Sequence, residues 1–164
     1  MNCPIKNDEI RKVHELIEKI KKGGALHNTL TCEEINLPNR AAYNVGMAFK
    51  ARKNATDDKA LNTNQLRKYF EQINSVKDLT VEDAKNELFK VLPQIAYAAG
   101  RKVCPIDFYK LMESCISPET IKDEKDITAL IDFLTAVVAY AKFNSLNKQG
   151  EKHYEDNKQS FGKI

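Results

Sequence analysis

The chain has 164 residues and a mass of 18.7 kDa; 42% of its residues are hydrophobic and 30% charged, with six glycines and five prolines. That is the length of one ordinary domain with enough apolar material for a core, and the composition excludes a disordered, collagen-like or disulfide-scaffold chain. Its 26 basic and 23 acidic residues leave a net charge of +3, too balanced to mark a nucleic-acid binder by composition, so the placement of the charges carries that question.

Taken in chain order, Asn7 precedes the acids Asp8 and Glu9. Ile10, Val13, Ile17 and Ile20 then recur at helical spacing until Gly23-Gly24, which predicts a helix over 8–22. After a polar connection, residues 38–53 are rich in small side chains (Ala41, Ala42, Gly46, Ala48, Ala51), with Val45 and Phe49 on one face. Such a face lets helices approach closely. Asn62-x-x-Gln65 resembles a capping box before the stripe Leu66, Tyr69, Phe70 and Ile73, giving a helix over about 63–75.

Thr80-x-x-Asp83 is another helix start, followed by Val81, Ala84, Leu88, Val91, Ile95, Ala98 and Ala99 along one side. Pro93 interrupts that run. A proline removes one backbone bond and clashes with the carbonyl four residues back, so a kink or break is expected near Phe89 to Leu92. Cys104-Pro105 opens the next helix and Ser117-Pro118 marks its end.

From 124 to 145 the periodicity is strongest: Ile127, Leu130, Ile131, Leu134, Val137, Val138 and Ala141 form a broad apolar face. Phe133, Ala136, Tyr140 and Phe143 gather on the opposite side. Such a helix is either central to the fold or turns one side to a partner, which makes Phe133, Tyr140 and Phe143 candidate subunit-interface residues. No segment alternates with period two for long enough to argue a strand. The expected fold is therefore all-α, a single compact bundle of about five or six helices over 1–147, followed by a polar C-terminal tail over 148–164.

The most apolar region holds no uncharged stretch approaching the ~20 residues a membrane crossing needs. The opening residues lack an apolar signal core and carry acids, which predicts a cytoplasmic protein without a membrane partner. Cys3, Cys32, Cys104 and Cys115 lie far apart without a C-x-x-C, so reduced thiols are expected.

His14, His27 and His153 have no helical zinc spacing, and the acid neighbours Glu33-Glu34 and Asp57-Asp58 suit polar surface. Glycine-rich phosphate loops, nucleophile elbows and calcium loops are missing from the chain. Neither a catalytic residue, a metal site nor a cofactor is expected.

The charges say more by face than by count. Lys90, Gln94, Tyr97 and Arg101 fall on one helical stripe, about 120° from the apolar face. Two cations and an aromatic on one edge suit a sugar-phosphate backbone, although Asp83 and Glu87 continue the stripe with the opposite sign, as on a solvated face. Lys50, Arg52 and Lys53 form a basic patch that suits either phosphate or the negative end of a helix. Arg67 flanks the core face of its helix, Lys68 points away from it and Lys142 flanks the last helix. Each is placed either to snorkel over core side chains or to reach a ligand.

Three stretches occur together: Asn62-Thr-Asn-Gln-Leu-Arg-Lys-Tyr-Phe70, Leu92-Pro-Gln-Ile-Ala-Tyr-Ala-Ala-Gly-Arg101 and Phe133-Leu-Thr-Ala-Val-Val-Ala-Tyr-Ala-Lys142. In order, spacing and content, over about residues 40–145, the chain resembles the small all-helical subunit of type III-A CRISPR effector (Csm) complexes. Members often carry Lys where this chain has Gln94. They also carry Glu-Ala and a final Tyr-His-Lys where it has Thr135-Ala136 and Ala141-Lys142.

The resemblance implies a non-catalytic subunit in antiviral defense, stacked in several copies along a ribonucleoprotein filament. It implies contacts with guide and target RNA and with the other Csm subunits. Arg67, Arg101 and Lys142 match the family motifs as RNA-contacting residues. Lys50, Arg52, Lys53, Lys68, Lys90 and Tyr97 join them on their chemistry. The competing reading of the same residues is a helical protein-interaction or dimerisation module without nucleic-acid binding.

Overall fold

The computed structural model describes the backbone of residues 4–49 and 63–161 and the side chains of 8–49 and 64–143. The described residues form helices α1 (Pro4–Gly23), α2 (Leu26–Thr29), α3 (Cys32–Asn36), α4 (Ala41–Phe49), α5 (Thr63–Asn74), α6 (Val81–Gly100), α7 (Ile106–Cys115) and α8 (Glu124–Phe161). A 3-10 turn (Ser75–Asp78) joins α5 to α6. No strand occurs among them, so the all-α expectation holds, and six of the helices have nine or more residues.

The centre is α8, which packs against α4, α5, α2, α3 and α6, while α1 packs against α4 and α7. Both sides of α8 are thereby covered: Ile127, Leu130, Leu134 and Val137 are buried, and so is Phe133 on the opposite side, at 0% exposure. Of the two readings of this double-faced helix, the central position is the one observed. The small face of α4 does what its composition suggests, since a Cβ on Gly46 would lie 3.0 Å from the Ala141 nitrogen and 3.1 Å from the Val137 carbonyl oxygen. The absent side chain lets the two backbones meet.

Local signals set the helix ends. Gly24 takes φ +70 after α1 stops at Gly23, a conformation that costs glycine nothing. Thr80 accepts the Asp83 N–H at 3.3 Å and starts α6. At the start of α8, Asp123 Oδ1 accepts the Lys125 and Asp126 N–H groups, while Asp126 Oδ2 reaches back to the Asp123 N–H at 3.2 Å. The two aspartates cap each other reciprocally. The Asn62 half of the expected capping box lies outside the described residues.

Three features differ from the sequence expectation. Of the kink or break expected at Pro93, the break does not occur: α6 runs from Val81 to Gly100 with Pro93 on its exposed side. An interior proline costs about 3 kcal/mol. Leu88, Val91, Ile95 and Ala98, buried on both sides of it, offset this at about 1.5–3 kcal/mol for each large side chain. The connection after α1 is not plain loop but contains α2 and α3, and it buries Leu26, Ile35 and, between the two helices, Leu30. Finally, α8 continues to Phe161 instead of ending near Ser145. The added sequence holds no proline and one glycine, and its Lys, Gln and Glu residues favour continuation against the modest costs of Gly150 and the Asn residues.

Candidate nucleic-acid interface

The 3-10 turn folds α5 back along α6, and Gln72 Nε2 donates to Gln94 Oε1 at 2.9 Å across the pair. Gln94 belongs to the stripe of Lys90, Tyr97 and Arg101, and Lys68 lies one turn before Gln72 on α5. Helical geometry therefore sets Lys68, Lys90, Tyr97 and Arg101 along the two flanks of this contact, with Arg67 beside Lys68. All five are exposed.

Their partners are weak or local. Arg67 Nε donates to Glu71 at 3.0 Å and Lys90 Nζ to Glu87 at 2.7 Å, both within one helix and in solvent. Such pairs hold a cation by about 0.3–0.5 kcal/mol, less than a phosphate contact offers. Lys68 Nζ stands 5.9 Å from the centre of the buried Tyr69 ring, the snorkelling geometry, with its head in water. The Arg101 guanidinium lies 5.7 Å from the Tyr97 ring centre, and Tyr97 is 68% exposed. Lys142 is exposed on α8. Lys50, Arg52 and Lys53 lie outside the described residues.

Charge divides along α6. Glu82, Asp83 and Glu87 occupy its first two turns, where the helix N-terminus favours anions, and no Asp or Glu follows until Asp107. The acids that continue the stripe are thus confined to one end, and the other end is purely cationic.

That end carries a residue the sequence reading passed over. Val103 N–H bonds the Ala98 carbonyl at 3.1 Å and Lys102 N–H the Ala99 carbonyl at 3.0 Å, a Schellman turn with Lys102 at φ +62. Glycine is the usual residue there, and a lysine costs about 1 kcal/mol. The only sequence signal is the Gly-Arg-Lys run itself, whose glycine falls two residues too early to occupy the left-handed position.

Among the proposed interface residues, Phe133 is core and unavailable to a partner. Tyr140 is engaged within the chain: its hydroxyl donates to the Asn36 carbonyl at 2.6 Å and its ring meets Tyr43 edge-on at 5.1 Å. Phe143 is 54% exposed.

Elsewhere, His27, Asp123 and Asp126 have ligand atoms within 4.8 Å of one another. The buried Asp126 carboxylate is already committed, Oδ1 to the His27 N–H (2.9 Å) and Nδ1 (2.6 Å), Oδ2 to the Lys122 and Asp123 N–H groups. This arrangement caps α8 and ties it to α2. His14 Nε2 meets Asp107 at 2.8 Å and links α1 to α7. A cavity of about 400 Å³ between α1, α3 and α4 is lined by Lys12, Lys19 and Arg40, but Glu15 and Glu34 interleave, and Arg40 lies 3.7 Å from Glu34. Its charges compensate within the groove.

A model of the Csm2 Type III-A family matches residues 33–147, from α3 into α8. No curated protein and no solved structure matches the chain.

Proposed function

The chain belongs to the Csm2 type III-A family, subunits of a type III-A CRISPR effector complex, and from that premise we propose that it is a non-catalytic cytoplasmic small subunit contacting the guide and target RNA backbone. It packs against neighbouring Csm subunits and further copies of itself along the filament. The observation that carries the reading is the exposed α5–α6 edge: Arg67, Lys68, Lys90, Tyr97 and Arg101, on a hairpin joined across Gln72 and Gln94, with the acids of α6 confined to its first two turns.

The edge supplies phosphate partners but no array of side chains that reads bases. Sequence recognition falls to guide pairing and the protein holds backbone and shape. A modest net charge suits a subunit that shares a duplex with basic companions. Lys142 on α8 adds a second cationic point, and Phe143 offers an apolar contact to a neighbouring subunit.

The test is binding of the full chain to RNA by anisotropy at low and raised salt. Combining Arg67→Ala with Arg101→Ala lowers affinity and reduces the slope of log K against log salt by about 0.7–0.9 per lost phosphate contact. A slope unchanged in a folded double variant removes the α5–α6 edge from the RNA path. A wild-type chain with no salt-dependent binding favours an interaction module instead.

A further inference from the structure

The α6–α7 corner contains more than phosphate contacts require. Among the described residues, Tyr97 is the most exposed of the large apolar and aromatic side chains, and no hydrogen bond engages its hydroxyl. Arg101 lies against the ring, and with Tyr97 68% exposed as a residue, much of its side chain remains open. Val103 in the turn and Ile106 at the start of α7 are also exposed.

Arg101 adjoins the ring, and Lys102 follows it in the turn, kept in a left-handed conformation that glycine would adopt without strain. Strain retained at one position of an exposed turn points from the outlier to a use for that side chain.

On the reading that this edge meets RNA, we propose that Tyr97 is a stacking platform for one unpaired base, with Arg101 backing the ring and Lys102 holding the phosphate beside that base. A phenol serving phosphate alone would need only its hydroxyl tip, whereas much of this side chain is open. Bases inside an A-form duplex are stacked on their neighbours, and the deep groove admits no side chain to them. Only a base splayed from the helix, or one in a single strand, presents a π-face to a protein ring. The absence of any carboxylate between Glu87 and Asp107 keeps the surrounding field favourable to the attached phosphate.

The test uses the full chain and a single-stranded RNA carrying 2-aminopurine, compared with the same strand annealed to its complement. Fluorescence reports stacking and anisotropy reports binding. Wild type quenches the unpaired probe and leaves the paired one unchanged. Tyr97→Ala abolishes the quench and weakens single-strand binding roughly 5- to 150-fold, the worth of one base stack, with an unaltered salt slope. Tyr97→Phe keeps both signals. Lys102→Gly keeps the quench, raises thermal stability and lowers the salt slope by about 0.7.

Salt-dependent binding with a quench that survives Tyr97→Ala, or that is equal for the duplex, overturns the platform and leaves the RNA reading standing. No salt-dependent binding at all overturns both.

Discussion

Gly46 faces the backbone of Ala141 at the point where α4 crosses α8. A methyl group added to Gly46 would stand 3.0 Å from the Ala141 nitrogen and 3.0 Å from the Tyr140 Cβ, neither of which can swing aside. This crossing positions Tyr140 on Tyr43 and the Asn36 carbonyl, so the α3–α4–α8 layer depends on it.

Gly46→Ala and Gly100→Ala therefore have opposite signs, although both put alanine for glycine in a helix. At Gly100, within the last turn of α6, nothing lies within 4 Å of the new methyl, and the substitution stabilises by about 0.5–1 kcal/mol. At Gly46 the same propensity gain is outweighed by overpacking of about 1–3 kcal/mol, and Gly46→Val loses more. Urea denaturation of the three variants measures this. Equal shifts for the two alanines would mean that α4 and α8 are not in backbone contact.

The Asp126 cap makes stability depend on acid. Burial pushes its carboxyl pKa up, but hydrogen bonds from the His27 backbone, Lys122, the His27 ring and Asp123 outweigh this and hold it below the ordinary value. A carboxyl with a folded pKa below its unfolded value of about 3.9 contributes stability in full above that range and loses it as pH falls through the folded pKa. Asp126→Asn replaces one acceptor oxygen by a donor facing two N–H groups and costs about 1–3 kcal/mol near neutrality. The difference between wild type and variant shrinks below about pH 4. A difference constant across pH would show that the cap acts by shape alone.

The long elements were legible because their apolar stripes recur over three or more turns, as with Leu88, Val91 and Ile95 or Leu130, Leu134 and Val137. Leu26, Leu30 and Ile35 were not, since α2 and α3 are too short for a period to register. The two-sided character of α8 was visible in Phe133 and Tyr140. Which side was covered depended on α4, whose close approach is a tertiary fact. The cations of the α5–α6 edge were legible one by one. Their meeting across Gln72 and Gln94, and the left-handed Lys102, follow from the hairpin and the turn, which no spacing rule contains.

The cysteines separate by burial. Burial pushes the thiols of Cys104 and Cys115 up to about 12, leaving almost no thiolate at neutral pH, while Cys32 is exposed. In a Cys3→Ser background, a thiol reagent modifies Cys32 at once, and the other two react only in denaturant. Prompt reaction of a second thiol in the native protein would mean that the core around Phe108 and Met112 opens without unfolding.

Gln94 stands where the resemblance drawn from the sequence implies a lysine, and the structure shows what a lysine would meet there. Gln72 Oε1 is buried without a partner among the described residues, while its Nε2 donates to Gln94. Gln94→Lys removes an acceptor and supplies a donor. With the Gln72 amide turned over, the ammonium satisfies the oxygen by a charge-assisted bond, which offsets the lost neutral bond of about 0.5–1.5 kcal/mol. Stability consequently stays within about 0.5 kcal/mol of wild type, while the edge gains a cation and the salt slope of RNA binding steepens by about 0.7–0.9. Gln94→Met, which adds neither charge nor donor, leaves Gln72 wholly unpaired and destabilises without steepening that slope. Should Gln94→Lys leave the slope unchanged in a folded protein, the Gln72–Gln94 seam does not face RNA.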